Sequence, residues 1–277
     1  MPAEMTDIQK QRLRELNAPP SVWNAAFENN QERNRAFQEI EKRLVEENKR
    51  HLLAVRDTRR RPGIWDLEEV LVYTLTSAGF VQVVTPILLA KGLLEKMSIT
   101  SEHTLSKQVF WVSENRCLRP MLAPHLYFLL RSLVRLWGTP VRIFEVGPCF
   151  RKESRGSEHL EEFTMLNLVE LGLPQEMRQE RLKELANLVM EAAGINSYRL
   201  IPKSSDVYGE TVDVVTDTEL GSCAMGPHPL DDVWGIIDPW VGLGFGLERL
   251  IMEKEWFQNI QRAGRSLVYL DGARLNI

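Results

Sequence analysis

The sequence predicts an α+β fold built on a mainly antiparallel sheet. Three observations carry the prediction. Strand-like runs follow one another through hairpins and short polar loops. Helical stretches are inserted among them irregularly. No regular strand–helix–strand rhythm runs along the chain, which argues against a Rossmann domain.

Length and composition bound the class before any motif is read. At 277 residues the chain can hold one large domain or a domain with a small appendage. The 44% apolar and 26% charged content is that of an ordinary globular protein. No apolar run is long enough for a bilayer, and the charged start through Leu16 lacks a signal-peptide core. Cys117, Cys149 and Cys223 form no CxxC pair, so neither a disulfide framework nor a zinc site is expected. A cytoplasmic setting follows. The net charge of −4 argues against a protein that coats nucleic acid non-specifically.

Residues 5–16 and about 31–56 read as polar amphipathic helices on either side of the Asn17-Ala-Pro-Pro20 break. Their few apolar residues place them on the surface of something larger. Arg61-Pro62-Gly63 closes this section, giving an N-terminal helical part over 1–62 and a main domain over 63–277. Residues 1–61 hold 13 Lys and Arg against 10 Asp and Glu. Within Lys49–Arg61, Lys49, Arg50, Arg56, Arg59, Arg60 and Arg61 face one acid in sequence, Asp57. That cluster is either a solvated helix end or a phosphate-contacting patch.

From Trp65 the texture changes. Leu67, Val70, Leu71, Thr74, Leu75 and Ala78 recur at helical spacing, and Gly79 supplies the C-cap. Phe80–Thr85 reads as a strand stopped by Pro86. A second strand is expected at Gln108–Val112. Ala123-Pro124 opens a helix whose stripe is Leu126, Leu129, Leu130, Leu133, Leu136 and Trp137. Val141–Val146 and Phe163–Val169 form two strands around a polar loop. Arg178–Ala193 is a helix ended by Gly194. Strands at Thr211–Val215, Leu220–Met225 and Val241–Phe245 precede a last helix from Leu247.

Three stretches carry chemistry. In Gly242-Leu-Gly-Phe-Gly-Leu-Glu248-Arg249 the glycines alternate, so on a strand they bare one face of backbone. A flat purine fits that strip, with Arg249 at its end for ring or phosphate. A bend between two closely packed elements gives the same glycines. The stretch is neither a P-loop nor G-x-G-x-x-G. In the second stretch, Phe150-Arg151-Lys-Glu153 ends a strand with a five-donor fork suited to a phosphate or carboxylate oxygen. On the return strand Phe163, Met165, Asn167 and Val169 share one face, while Thr164, Leu166 and Leu168 share the other. Asn167 among apolar neighbours is either a satisfied core amide or one that waits for a ligand. In the third, Glu219-Leu-Gly-Ser222, a shared ligand site needs a bulge, which Gly221 permits. Carboxylate and hydroxyl there make a partial Mg²⁺ shell.

Taken together these stretches resemble motifs 1, 2 and 3 of the class II aminoacyl-tRNA synthetases: Phe80–Pro86, Phe150–Glu153 with its hairpin, and Gly242–Arg249. Leu118-Arg-Pro-Met-Leu-Ala-Pro124, Gly147–Ser154, His159–Asn167 and Pro239–Arg249 resemble the pyrrolysyl branch of that family from about Trp65 to Asn276. With nothing before the helical section, the chain resembles the compact type that lacks a separate N-terminal tRNA-binding domain. The resemblance implies ATP and Mg²⁺, a pyrrolysine tRNA as partner, and a homodimer through motif 1. It makes Arg151, Arg249 and Glu219 catalytic. Glu153, His159, Leu160, Phe163, Leu220, Gly244 and Gly246 complete the ATP site, and Glu219 with Ser222 holds the metal. Ala123, Leu126, Tyr127, Leu130, Val169, Trp240 and Gly242 line the amino-acid pocket, Asn167 bonds the substrate amide, and Tyr208 closes over it from a mobile loop. The basic Lys49–Arg61 segment becomes a candidate tRNA contact. Leu243, His125, Val169 and Cys223 depart from the family pattern and bear on side-chain preference. Two other readings stand beside this one: a class II ligase for another large amino acid such as phenylalanine, and a non-catalytic relative that binds tRNA.

Overall fold

The computed structural model describes residues 2–59, 61–152 and 159–277. Its centre is a seven-stranded sheet made of β1 (Val81–Gln82), β2 (Val141–Phe150), β3 (Glu162–Leu171), β4 (Arg199–Ser205), β5 (Gly209–Val215), β6 (Glu219–Gly226) and β7 (Trp240–Gly246). The spatial order is β1-β2-β3-β7-β6-β5-β4. Only the short β1–β2 pairing is parallel. The other five are antiparallel, as the hairpin-rich sequence predicts.

The two sheet faces bury different partners. The helices α1 (Asp7–Glu15), α2 (Asn30–Ala54), α3 (Gly63–Ser77), α4 (Ala123–Trp137), α5 (Arg178–Ala193) and α6 (Leu247–Lys254) frame it. Leu71 and Leu75 of α3, Leu185 and Val189 of α5, and Leu250 of α6 pack on Leu166, Leu168, Leu243 and Phe245. Leu126, Tyr127 and Leu130 of α4 pack on Val169, Leu171 and Trp240 from the opposite side. The odd and even positions of β3 and β7 thus serve two cores, the period-2 consequence of the pleat. A small sheet of Leu88–Ala90, Arg116–Leu118 and Trp111–Ser113 extends the α4 side.

Several boundaries differ from expectation for physical reasons. The strand expected at Gln108–Val112 runs over Trp111–Ser113, because Thr104–Gln108 closes into a 3₁₀ turn capped by His103. Only Val81–Gln82 of the motif 1 stretch pairs as strand, and Val83 adds one further backbone bond to Phe144. Strand β4 is absent from the sequence reading: Pro202, Lys203 and Ser204 look like a loop, and the sheet edge tolerates them.

The N-terminal helices have a small core of their own, with Leu13, Leu16, Ala18 and Leu44 buried. They seat on the C-terminal segment through polar anchors. Asn48 Oδ1 accepts from Arg274 N at 2.8 Å, and Arg274 pairs with Glu15 at 2.9 Å. Arg262 donates to the Glu15 carbonyl at 2.9 Å. The Lys49–Arg61 segment is a net of ion pairs rather than a bare cationic stripe. Lys49 pairs with Glu46, Arg56 with Asp57, Arg59 with Asp271, and Arg61 with Asp66 and Glu69. Arg60 lies outside the described residues.

One buried ionic network ties motif 1 to the motif 2 strand and α4. Arg119 and Glu145, each about 2% exposed at the side chain, pair at 2.7 Å. Thr85 donates its hydroxyl to Glu145 at 2.7 Å and meets His125 Nδ1 at 3.1 Å. Burial, with Arg119 close by, holds the His125 pKa below its usual value. Here the departure at position 125 has its partner: the imidazole fills a polar niche behind the cleft. Glu145→Ala strands the Arg119 charge without its carboxylate, so a loss of about 3–5 kcal/mol is expected in urea titration. A loss under about 1 kcal/mol would mean that the pair is not what holds this corner.

Candidate active site

The cleft forms where β3 and β7 run side by side. Gly242, Gly244 and Gly246 lie opposite Val169, Asn167 and Met165. The glycine positions therefore bare the sheet on the same side as Phe163, Met165, Asn167 and Val169. From Phe163 to Val169 this strip spans about 20 Å. A side chain on Gly244 would come 3.1 Å from Asn167 Nδ2, and one on Gly242 would come 3.0 Å from the Trp240 ring. Bare backbone here keeps the floor open.

The sequence-predicted residues come together on this floor. A cleft of about 370 Å³ is lined by Ala123, Leu126, Tyr127, Leu130, Asn167, Val169, Tyr208, Trp240 and Gly242 toward α4. Arg151, His159, Leu160, Phe163, Glu219, Leu220, Ser222, Gly244, Gly246 and Arg249 line the rest of it. Glu153, the remaining candidate, lies outside the described residues. Leu243 and Cys223 also line the cleft, while their side chains, each about 1% exposed, pack into the core beneath α3, α5 and α6.

At one end two arginines are held by backbone carbonyls. Arg151 donates Nε to the Pro120 carbonyl at 2.9 Å, with its guanidinium 5.2 Å above the Phe163 ring. Arg249 donates to the Glu219 carbonyl at 2.8 Å and stands 3.5 Å from its carboxylate. Strand β6 carries the bulge that the Glu219–Ser222 spacing requires: Val214 faces Gly221, and Val215 faces Glu219. Ser222 gives its proton to Asp213 Oδ1 at 2.9 Å, which leaves the hydroxyl lone pairs for a cation. Asp213 is a residue that sequence reasoning missed, since its pairing with Ser222 exists only across strands.

Glu248 is buried beneath this end, and both its oxygens lie 2.9 Å from the Thr164 amide. Burial pushes its pKa up to about 7.

At the other end the walls are apolar with one polar row. The Asn167 Oδ1 is buried and has no hydrogen-bond partner among the described residues. Tyr127 stacks on Trp234 at 5.3 Å and meets Trp240 edge-on at 5.8 Å. Tyr208 sits at the tip of the β4–β5 hairpin. Ser205 Oγ accepts from the Val207 and Tyr208 amides, and the Tyr208 ring packs on His228 and Trp240. A cleft with a cationic end, a bare strip and a deep apolar end suits an anionic nucleotide joined to a long side chain.

Comparison with known proteins agrees with this geometry. Residues 53–222, more than half of the chain, match the family described as the phenylalanyl tRNA synthetase beta chain CLM domain. A threonine--tRNA ligase of Wolbachia pipientis is 32% identical over 96 residues, which span 34% of this chain and 15% of that ligase. The crystal structure of the pyrrolysyl-tRNA synthetase from Desulfitobacterium hafniense is 55% identical, covers 99% of both chains and superposes with a TM-score of 0.94. The chain belongs to the pyrrolysyl-tRNA synthetase family. A second structure of such a synthetase from the same organism is 54% identical, with a TM-score of 0.92 over 99% of this chain and 96% of that one. As a member of this family the chain is an aminoacyl-tRNA ligase with the class II catalytic fold. Family membership implies use of ATP, a tRNA and an amino acid. No helix among the described residues is long and apolar enough to cross a membrane.

Proposed function

We propose that the chain activates pyrrolysine, or a related Nε-acylated lysine, as its adenylate and transfers it to pyrrolysine tRNA. The observation that carries this reading is the Asn167 Oδ1 at mid-cleft, buried and without a hydrogen-bond partner among the described residues. It stands between the arginine end and the apolar end formed by Leu126, Leu130, Val169 and Trp240. A long side chain with an amide or carbamate near its end matches that order, and plain lysine would bring an ammonium into an apolar pocket. Two solved structures that align along 99% of the chain are pyrrolysyl-tRNA synthetases.

Adenylation needs no protein nucleophile, because the substrate carboxylate attacks the α-phosphate in line and displaces pyrophosphate. The protein's task is positioning and charge stabilisation. Arg151 holds the α-phosphate and the attacking carboxylate, Phe163 and Arg249 sandwich the adenine, and His159 and Leu160 close the nucleotide end. Glu153, from outside the described residues, completes this set. Glu219 and Ser222 offer the hard oxygen donors that suit Mg²⁺, with Asp213 fixing the Ser222 proton. Bound there, Mg²⁺ neutralises phosphate charge. Gly242 and Ala123 leave room for the substrate backbone, and Tyr208 covers the far end.

The motif 1 face favours a homodimer. Trp65, Val70 and Tyr73 of α3 and Val84 after β1 are each exposed, Tyr73 at 73% and Val84 at 89%. Residues 1–62 form an appended helical section on the catalytic body, from which the protein grips tRNA. Charging of a pyrrolysine tRNA transcript with an Nε-acylated lysine, at a light-scattering mass of two chains, tests this reading. Failure to charge that transcript with any Nε-acylated lysine would overturn it.

A further inference from the structure

Asp231 has no place in the ligand-lining set, yet it connects most of the amino-acid end. It lies in the short helical turn Asp231–Trp234, and only 1% of it is exposed. Its Oδ1 accepts the Tyr127 hydroxyl at 3.0 Å. Its Oδ2 accepts the Trp240 indole N–H at 2.7 Å and the His228 amide at 2.7 Å. Tyr127 and Trp240 are two walls of the pocket, and His228 carries the ring against which Tyr208 packs.

Tyr127 gives its single phenol proton to Asp231. The Tyr208 ring packs against the rings of His228 and Trp240, the other two residues that donate to Asp231. A carboxylate is suited to this position because it accepts from every side and donates to none.

We infer that Asp231 is a positioning residue for the amino-acid side chain: one buried carboxylate behind the cleft sets the Tyr127 and Trp240 walls and orients the Tyr208 cover. It never touches substrate, and it acts on the depth of the pocket through three donors. The inference rests on the reading of the apolar end as the side-chain site.

The test compares Asp231→Ala and Asp231→Asn with the unaltered protein in ATP–pyrophosphate exchange, using an Nε-carbamoyl-type lysine. Asp231→Ala is expected to raise the amino-acid KM about tenfold or more while the ATP KM stays within about twofold. Asp231→Asn should recover most of the loss. Its oxygen can still accept from Trp240 and His228, and its amide can donate to the Tyr127 hydroxyl oxygen. A purely structural role would raise both KM values together, and that result overturns the inference, as does an unchanged amino-acid KM. The Trp240 indole N–H in ¹⁵N-labelled protein, assigned through Trp240→Phe, gives a readout independent of the substrate. It should lie downfield and exchange slowly in the unaltered protein, and Asp231→Ala should shift it upfield and speed its exchange. An unmoved resonance sinks the inference even if the substrate reading fails. Silence of the unaltered protein with the lysine derivative, with the indole shifted as expected, would overturn the substrate reading alone. If Asp231→Ala does not fold, Asp231→Asn must still leave the indole bonded and the ATP KM unchanged; a disturbed indole there overturns the inference.

Discussion

Arg151→Ala is expected to yield a folded protein that forms no measurable adenylate. The wild-type side chain donates to the Pro120 carbonyl and lies over Phe163 at the cleft, with the residue itself only partly buried. Its removal opens no core cavity, and the melting temperature should fall by a few degrees at most. Catalysis loses much more. A preorganised donor to charge that develops in the transition state is worth roughly 10²–10³ in kcat, and a guanidinium offers several such donors. Arg151→Lys is not expected to rescue, because an ammonium cannot bridge two oxygens in the plane of a fork. Exchange within about tenfold of wild type in a folded Arg151→Ala protein would remove Arg151 from the chemistry.

Asn167 should govern which amino acid is accepted. Wild type should prefer an Nε-acyl lysine over a hydrocarbon analogue of equal length by roughly 10⁴-fold in kcat/KM, since a substrate that cannot pair leaves a buried amide unsatisfied. In Asn167→Ala the amide is gone, and that preference should collapse by at least about 10²-fold. Little stability should change with it, because the Oδ1 has no partner to lose among the described residues. A preference that survives the substitution would place recognition of the acyl group elsewhere in the pocket.

Much of the cleft floor was legible because strand geometry is a period-2 code. Alternating glycines at 242, 244 and 246 and alternating Phe163, Met165, Asn167 and Val169 each specify one face of a strand. Their meeting in register is a tertiary fact that the sequence does not contain. The same code marks Leu243 as facing away from the floor, and Cys223 lies opposite it in register on the neighbouring strand. The network of Thr85, Arg119, His125 and Glu145 was not legible. Its partners lie up to 60 residues apart, and a lone buried Arg reads in sequence like any surface Arg. Asp231 was missed for the same reason: Asp231-Asp232 after a Pro-Leu pair looks like polar loop, and only the fold brings Tyr127 and Trp240 to one of the two. The basic Lys49–Arg61 run misleads in the opposite sense. Its neutralising partners Asp66, Glu69 and Asp271 lie outside it in sequence.

ATP–pyrophosphate exchange measured in parallel with pyrrolysine, an Nε-acylated lysine, lysine and phenylalanine tests the assigned chemistry and the assigned substrate together. Exchange should occur with the first two and remain at background with the last two. Exchange driven by phenylalanine or plain lysine would keep the ligase and contradict the pocket built around Asn167, and silence with all four in folded protein would contradict the catalytic reading itself.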